Sequence, residues 1–544
     1  MPTKLISRFA LPLIIVLALI LRSWSINSFP SLNPDEAALG YNAYSLLQTN
    51  KDEHGANWPL HFKSFGDYKP GGYVYLALPF IKLLGLNVLA ARLPNLIFSV
   101  LTIYFLYKLV LLLTRNSQLS TLSAFVLAVN PWHIHFSRGA WETSTALFFI
   151  VLGLYLFYSY ILNLKSSFLY LSILAFVASL YIYHSARLIT PLLVLFLLIS
   201  NWSLVISNYK KFILPVLFGI IITLPVLVSF LRNGGTSRFG GVGLTADYGP
   251  ISRSEELLNQ DMNTALFYRA IHNKRLLYAL SWGEKYFSHF NLNFLFINGD
   301  EVPRSKSPEM GQLYLIELPF LIIGIIFLIR TPARRGGSYF LNLKSLVLAL
   351  LLIAPIASSL TFQAPSALRA LPMVIPLSIL VACGLYSFIS FIHTSYFLNL
   401  ISFFMVVGYL YSLAYFLSTY YIHAPRRYPY AWNTGFDQVV PYINQQRNNF
   451  ENIYLTDKYD QPYILYLFYS LYPPAQIQSQ IKLSPPDRFG FSTVRQIDNI
   501  HFDKIDWNNI PSNSLIISAN ESIPIEPGKQ IIIKEQRLFN IYEK

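Results

Sequence analysis

Runs of roughly 18 to 25 mostly apolar residues recur along this chain, and at about 1.5 Å per residue each, as a helix, crosses a hydrocarbon layer of about 30 Å. Eleven segments qualify: 9–25, 92–113, 118–136, 143–163, 167–183, 188–206, 211–231, 312–330, 341–360, 367–392 and 396–418. The 544 residues are 54% hydrophobic and 12% charged, with a mean hydropathy of +0.43, more apolar surface than one soluble core can hide. Lipid must cover much of it. A formal charge of +14 suggests nucleic acid in a soluble protein, but here Lys and Arg punctuate the ends of the apolar runs. Topology and lipid phosphate account for them, so membrane lipids are expected partners and nucleic acid is not. The 37 Tyr and 8 Trp fit interfacial belts and sugar-stacking surfaces equally. Cys383, the single cysteine, lies inside an apolar run and leaves no intrachain disulfide. Lys4 and Arg8 ahead of Phe9 imitate a signal peptide, but no small-x-small cleavage site follows, so the first run reads as an uncleaved helix.

A twelfth stretch, Gly71 to Leu86, is shorter and carries Pro79 and Lys82. Lys4/Arg8, Lys108/Arg115, Lys165, Lys210/Lys211 and Arg330/Arg334/Arg335 share one face only if this stretch does not cross, which makes it juxtamembrane or re-entrant. The segments Ile26 to Lys69, Ser137 to Glu142, Tyr183 to Arg187, Arg232 to Gly311 and Thr361 to Arg369 then share the outside face with the C-terminal tail. The expected fold is mainly α: a polytopic transmembrane helical bundle of about 11 to 13 helices with a small C-terminal soluble α/β domain. Its membrane part covers residues 1–419, with outside loops 26–91 and 232–311, and its soluble part 420–544. In the tail, Phe436 to Phe450 and Gln461 to Tyr472 read as helices, and Asn452 to Thr456, Ser514 to Ser518 and Gln530 to Lys534 as strands.

The first outside loop opens with Asn33-Pro34-Asp35-Glu36. Asn33 suits a helix cap and Pro34 the first helical position, so both carboxylates fall in a first turn, where the helix dipole favours them. An acidic helix start is the plain explanation. Three further features point to chemistry. The same loop ends in Asp67-Tyr68-Lys69-Pro70; His133, His135, Ser137 and Arg138 run on to Glu142; and Tyr183-His184-Ser185-Ala186-Arg187 interrupts two apolar runs. Singly, a cation at a helix end snorkels to lipid headgroups. Jointly, acids and bases on one face are what a phosphate leaving group and a proton-accepting base require.

These motifs, with Arg92-Leu93-Pro94 and with Arg369 ahead of Leu371-Pro372, resemble the GT-C membrane glycosyltransferases related to dolichyl-phosphate-mannose protein mannosyltransferases and the bacterial aminoarabinose transferase of lipid A. The resemblance implies an inverting glycosyltransferase of the cell (plasma) membrane with an extracytoplasmic active site. It would move a sugar from a polyprenyl-phosphate donor to a hydroxyl on a protein, lipid or cell-wall glycan. Asp35 would be general base, with Glu36 beside it as a catalytic acid residue. Lys69, Arg138, Arg187 and Arg369 would bind the donor phosphate, and Asp67, Tyr68, Glu142, Tyr183 and His184 the substrates. The chain departs from the family pattern where Tyr68 stands directly before Lys69 and where Glu142 occupies an often aspartate position. A divalent metal ion is a possible cofactor, for which His133, His135 and His184 could join Asp35 or Glu142. The glycine-rich stretch from Asn233 to Gly243 lacks the Lys-Ser or Lys-Thr ending of a phosphate loop and reads as a flexible loop or lid. The alternative class, a transporter or lipid-linked sugar flippase, expects charges inside the helices, whereas these cluster at helix ends.

Overall fold

The computed structural model describes residues 2–232, 241, 243–261, 266–331, 333–392, 396–487 and 490–544. The chain begins with α1 (Pro2–Ser23), α2 (Pro34–Thr49), the hairpin β1 (His61–Ser64) and β2 (Asp67–Pro70), and α3 (Gly72–Leu84). There follow α4 (Val88–Thr114), α5 (Ser117–Val129), α6 (Pro131–Ser137), α7 (Glu142–Asn163), α8 (Ser166–Ile182), α9 (Ala186–Ser200), α10 (Trp202–Ser207) and α11 (Tyr209–Arg232). Later apolar helices are Leu318–Arg330, Ala333–Ile353, Val374–Ile392 and Tyr396–Ser418. Among the described residues, 6 helices are long and apolar enough to cross a membrane, and five shorter apolar helices accompany them. In this multi-pass membrane protein, side chains such as Ile221, Ile329 and Phe403 stay exposed on helix faces that lipid covers.

Every apolar run became helix, but several are interrupted where polar or proline residues offer a better partner. The run 118–136 breaks between α5 and α6 because the Asn130 side chain accepts from His133 N and Pro131 takes the first position of the new helix. Asn201 divides 188–206 into α9 and α10 differently, its Nδ2 donating back to Leu197 O at 2.8 Å without capping the start of α10. The α3 helix has 13 residues, about 20 Å, and packs Tyr73, Val74, Ala77 and Ile81 inward.

The tail carries a 6-stranded sheet in the order β4-β5-β3-β6-β8-β7. Its strands are β3 (Asn452–Thr456), β4 (Gln496–Ile497), β5 (Ile500–Asp503), β6 (Ser514–Ser518), β7 (Lys529–Ile533) and β8 (Gln536–Glu543). The central β5-β3-β6 pairs are parallel and the outer ones antiparallel. Ile453, Leu455, Leu515 and Ile517 alternate onto one buried face. That face belongs to the same core as α2: Tyr41 donates to the Tyr472 carbonyl at 2.8 Å, and the helix Pro462–Tyr469 lies directly against α2.

Candidate active site

The start of α2 is fixed by a reciprocal cap. Asn33 Oδ1 accepts from Glu36 N at 3.1 Å, and the Glu36 carboxylate reaches back to the Asn33 backbone. Asp35 is thereby held in the first turn, its side chain 32% exposed and ion-paired with Lys69, which is 15% exposed. Lys69 comes from β2, and the hairpin closes over Phe65-Gly66, both in the left-handed region at φ 56° and 84°. A Cβ at Gly72 would lie 2.6 Å from the Tyr181 carbonyl, so only glycine lets the start of α3 abut the end of α8. That approach brings the hairpin beside Tyr183, His184 and Arg187.

A cavity of about 570 Å³ opens there, lined by Asp67, Tyr68, Tyr183, His184, Arg187 and Arg369 among others. Six residues expected to bind donor or acceptor, drawn from three separated stretches of chain, thus share one space. A second, largely apolar groove of about 440 Å³ runs between α8, α9 and α11 and shares Leu180, Pro191, Thr223 and Leu227 with it. Lys69 and Asp35 stand beside the cavity rather than in its lining.

His61, which the sequence gave no reason to single out, also lines the cavity. Its Nε2 accepts from Arg187 Nη2 at 2.6 Å, so its proton sits on Nδ1, directed at Ser229 Oγ at 2.6 Å. Burial, reinforced by the Arg187 guanidinium, pushes the imidazole down from its ordinary 6.5 to about 4. The unfolded chain therefore binds a proton that the folded one refuses between those values, and stability falls as pH drops through this window. Thermal melts of the detergent-solubilised protein should decline from about pH 6.5 to pH 4, and His61→Gln should flatten that decline. Arg369 is held on the opposite wall: its Nη1 donates to Thr361 Oγ1 and Gln363 O, both at 3.3 Å. Asp300, equally unforeseen and 1% exposed, anchors that loop by accepting from Ala367 N at 2.6 Å. Of the glycine-rich stretch, residues 233–240 and 242 lie outside the described residues; Gly243 pairs with Thr361 and lines the cavity.

Three expected site residues take other positions. Glu36 is fully buried: Arg92 Nε and Nη2 bind its two oxygens at 2.6 and 2.8 Å, and Ala140 N donates at 2.7 Å. Its carboxylate pins α2 to α4 and faces no open space. Arg138, expected on the donor phosphate, is also fully buried, and its Nη1 and Nη2 donate to the carbonyls of Leu21, Arg22, Trp24 and Phe29 at 2.7 to 3.1 Å. Held on four carbonyls, this guanidinium ties the end of α1 to the loop after α6 and stays out of the cavity. Glu142 opens α7, within electrostatic range of Tyr73 and outside the cavity lining. The metal grouping does not assemble either. His133 Nδ1 lies 2.7 Å from Arg22 Nη2, His135 Nε2 donates to Arg304 O at 2.8 Å, and Asp35 faces Lys69. Among the described residues no group of three or more His, Cys, Asp or Glu is arranged to hold a metal ion, so no step is routed through one.

Residues 69–228, which carry Lys69, the cavity's α8–α9 wall and Arg187, match the family model of dolichyl-phosphate-mannose-protein mannosyltransferase. The whole chain superposes on ArnT from Cupriavidus metallidurans, in the apo state at TM-score 0.54 and 11% identity, and bound to undecaprenyl phosphate at 0.56 and 12%. In both cases 97% of each chain is covered. The fold is that of the GT-C glycosyltransferases. The archaeal oligosaccharyltransferase AglB from Archaeoglobus fulgidus, in complex with an inhibitory peptide and a dolichol-phosphate, is a more distant structure at TM-score 0.48 and 13% identity over 81% of this chain and 58% of its own. No curated protein matches the chain by sequence. The matched segment supplies Lys69 to the ion pair and Tyr183, His184 and Arg187 to the cavity wall, while Asp35, His61, Asp67, Tyr68 and Arg369 lie outside it.

Proposed function

We propose that this protein is an inverting glycosyltransferase that moves a sugar from a polyprenyl-phosphate donor to a hydroxyl acceptor at the extracytoplasmic face of the plasma membrane, with Asp35 as general base. The observation that carries the reading is the pairing of Asp35 with Lys69 beside a cavity whose walls bear Arg187 and Arg369. The donor phosphate sits between the two guanidiniums, which can each offer a planar pair of N–H groups. The polyprenyl chain runs into the contiguous apolar groove between α8, α9 and α11. The acceptor oxygen attacks the anomeric carbon from the side opposite the phosphate. Its proton passes to Asp35, the bond from carbon to phosphate oxygen breaks, and the phosphate leaves with that electron pair. A phosphate is already a weak base, so cations that stabilise its charge help more than an acid would. Lys69 orients the Asp35 carboxylate on the attacking side. Tyr68, Tyr183, His184 and Asp67 surround the sugar. Undecaprenyl phosphate in the superposable ArnT supports the donor class. The acceptor is a protein, a lipid or a cell-wall glycan.

The reading is tested with the purified protein in lipid nanodiscs and a panel of labelled polyprenyl-phosphate sugars. One donor should turn over, and Arg187→Met and Arg369→Met should each raise its KM by at least about tenfold, as expected for loss of a charge-assisted phosphate contact worth about 1.5 to 3 kcal/mol. Absence of turnover with every donor, or donor KM unmoved in both variants, overturns it.

A further inference from the structure

The loop after β3 of the C-terminal sheet lies near the β1–β2 hairpin and brings a third carboxylate within electrostatic reach of the ion pair. That loop runs from Asp457 to Gln461, and the Asp460 side chain, 62% exposed, lies 4.0 Å from Arg304 Nη1. The charges of Asp35 and Lys69 both act on Asp460, which therefore lies within electrostatic reach of the pair. Neighbouring contacts hold this arrangement in place. Ser492 N donates to Phe65 O at 2.8 Å, Gln461 Nε2 donates to Ser492 O at 3.2 Å, and the Tyr463 ring meets the Phe65 ring edge-on at 6.1 Å between centroids. Phe65 in turn lies under the Lys69 ammonium at 4.8 Å. On the other side, Asn433 Nδ2 donates to the Asp460 carbonyl at 3.1 Å, and Tyr430, 45% exposed, stacks near Tyr459 at 5.3 Å. A crevice at the carboxyl ends of parallel strands is also where open α/β sheets bind their ligands.

We infer that the C-terminal domain forms the acceptor side of the active site, with Asp460 positioning a polyhydroxylated acceptor, a glycan or glycolipid headgroup, against Asp35. This rests on the transfer reaction proposed above and deepens it. The class follows from donor counting. The attacking hydroxyl gives its proton to Asp35, so a second carboxylate needs other donors, which a peptide brings only from its backbone or adjacent residues and a sugar brings from the same ring. A sugar has neighbouring hydroxyls that donate to Asp460, accept from Arg304 and lay a ring face on Tyr430. Asp460 touches no reacting bond, so its effect falls on acceptor capture.

The test uses the full chain, wild type or variant, expressed in membranes of a deletion strain that retain the endogenous acceptor, with a labelled polyprenyl-phosphate sugar. It reads the partition of label between membrane acceptor and free sugar released to water. Asp460→Asn should shift that partition at least tenfold toward water, Asp460→Glu should restore it to within about threefold, and protease treatment should leave the transferred label on a glycan or glycolipid. An unshifted partition in Asp460→Asn, no rescue by Asp460→Glu, or label recovered on peptides overturns the inference. Asp35→Asn separates it from the underlying reading. If Asp35→Asn loses both products while Asp460→Asn is unshifted, the acceptor assignment alone fails. If Asp35→Asn is normal while Asp460→Asn is shifted, the base assignment alone fails.

Discussion

Asp35→Asn is expected to lower transfer by about 10²- to 10⁴-fold, the usual contribution of a positioned general base. The substitution is nearly isosteric and leaves the helix start intact, because the cap is made by Asn33 and Glu36 rather than by Asp35. Folding and donor KM should therefore stay close to wild type, and the loss should appear in kcat. Lys69→Met removes the partner that orients the Asp35 carboxylate, so it should lower kcat too. Because the two residues act as a unit, the double variant should be little worse than the worse single variant. Initial rates at saturating donor measure this. A kcat for Asp35→Asn within twofold of wild type removes Asp35 from the chemistry, whatever the fate of the cavity.

The parts of this architecture that were legible in the sequence are those set by local rules. Asn33-Pro34-Asp35-Glu36 announces a capped helix because side-chain-to-backbone bonds over three residues depend on little else, and the reciprocal cap forms as read. The apolar runs announce helices for the same reason. Their interruptions at Asn130 and Asn201 were hidden because hydropathy averages over a polar residue that the backbone uses as a cap. Charge roles were harder to read. Arg187 and Arg138 look alike as sequence, each a basic residue at an outer helix end. One lines the cavity and the other is locked on four carbonyls, a difference decided by residues more than a hundred positions away. His61 and Asp300 gave no signal, since they matter through long-range contacts, His61 with Arg187 and Ser229 and Asp300 with Ala367. In the tail, β3, β6 and β7 coincide with segments that read as strands, whereas β8 does not: Asn540 interrupts its apolar residues Leu538, Phe539, Ile541 and Tyr542, so it shows neither alternation nor a continuous apolar run.

Glu36 and Arg92 supply the largest expected effect on folding. Both side chains are fully buried, and Arg92 directs its N–H groups at Glu36, at Ile26 O and Pro30 O (2.7 and 2.8 Å) and at Ser31 O (3.2 Å). Arg92→Leu keeps the volume apolar but leaves the Glu36 carboxylate buried without its counter-charge, which costs about 3 to 5 kcal/mol. Adding Glu36→Leu removes that uncompensated charge, yet full recovery is not expected. Asn33 Nδ2 and Ala140 N then lose the acceptor they meet at 2.9 and 2.7 Å, and the carbonyls of residues 26, 30 and 31 stay without Arg92. Unpaired buried groups of this kind cost about 1 to 3 kcal/mol each. Chemical denaturation of the detergent-solubilised protein should therefore place both Arg92→Leu and the double variant below wild type. Equal midpoints for wild type and Arg92→Leu contradict the burial argument. This matters for the chemistry because Asp35 lies one residue before Glu36: the buried pair that fixes the start of α2 against α4 is what aims the neighbouring carboxylate at Lys69.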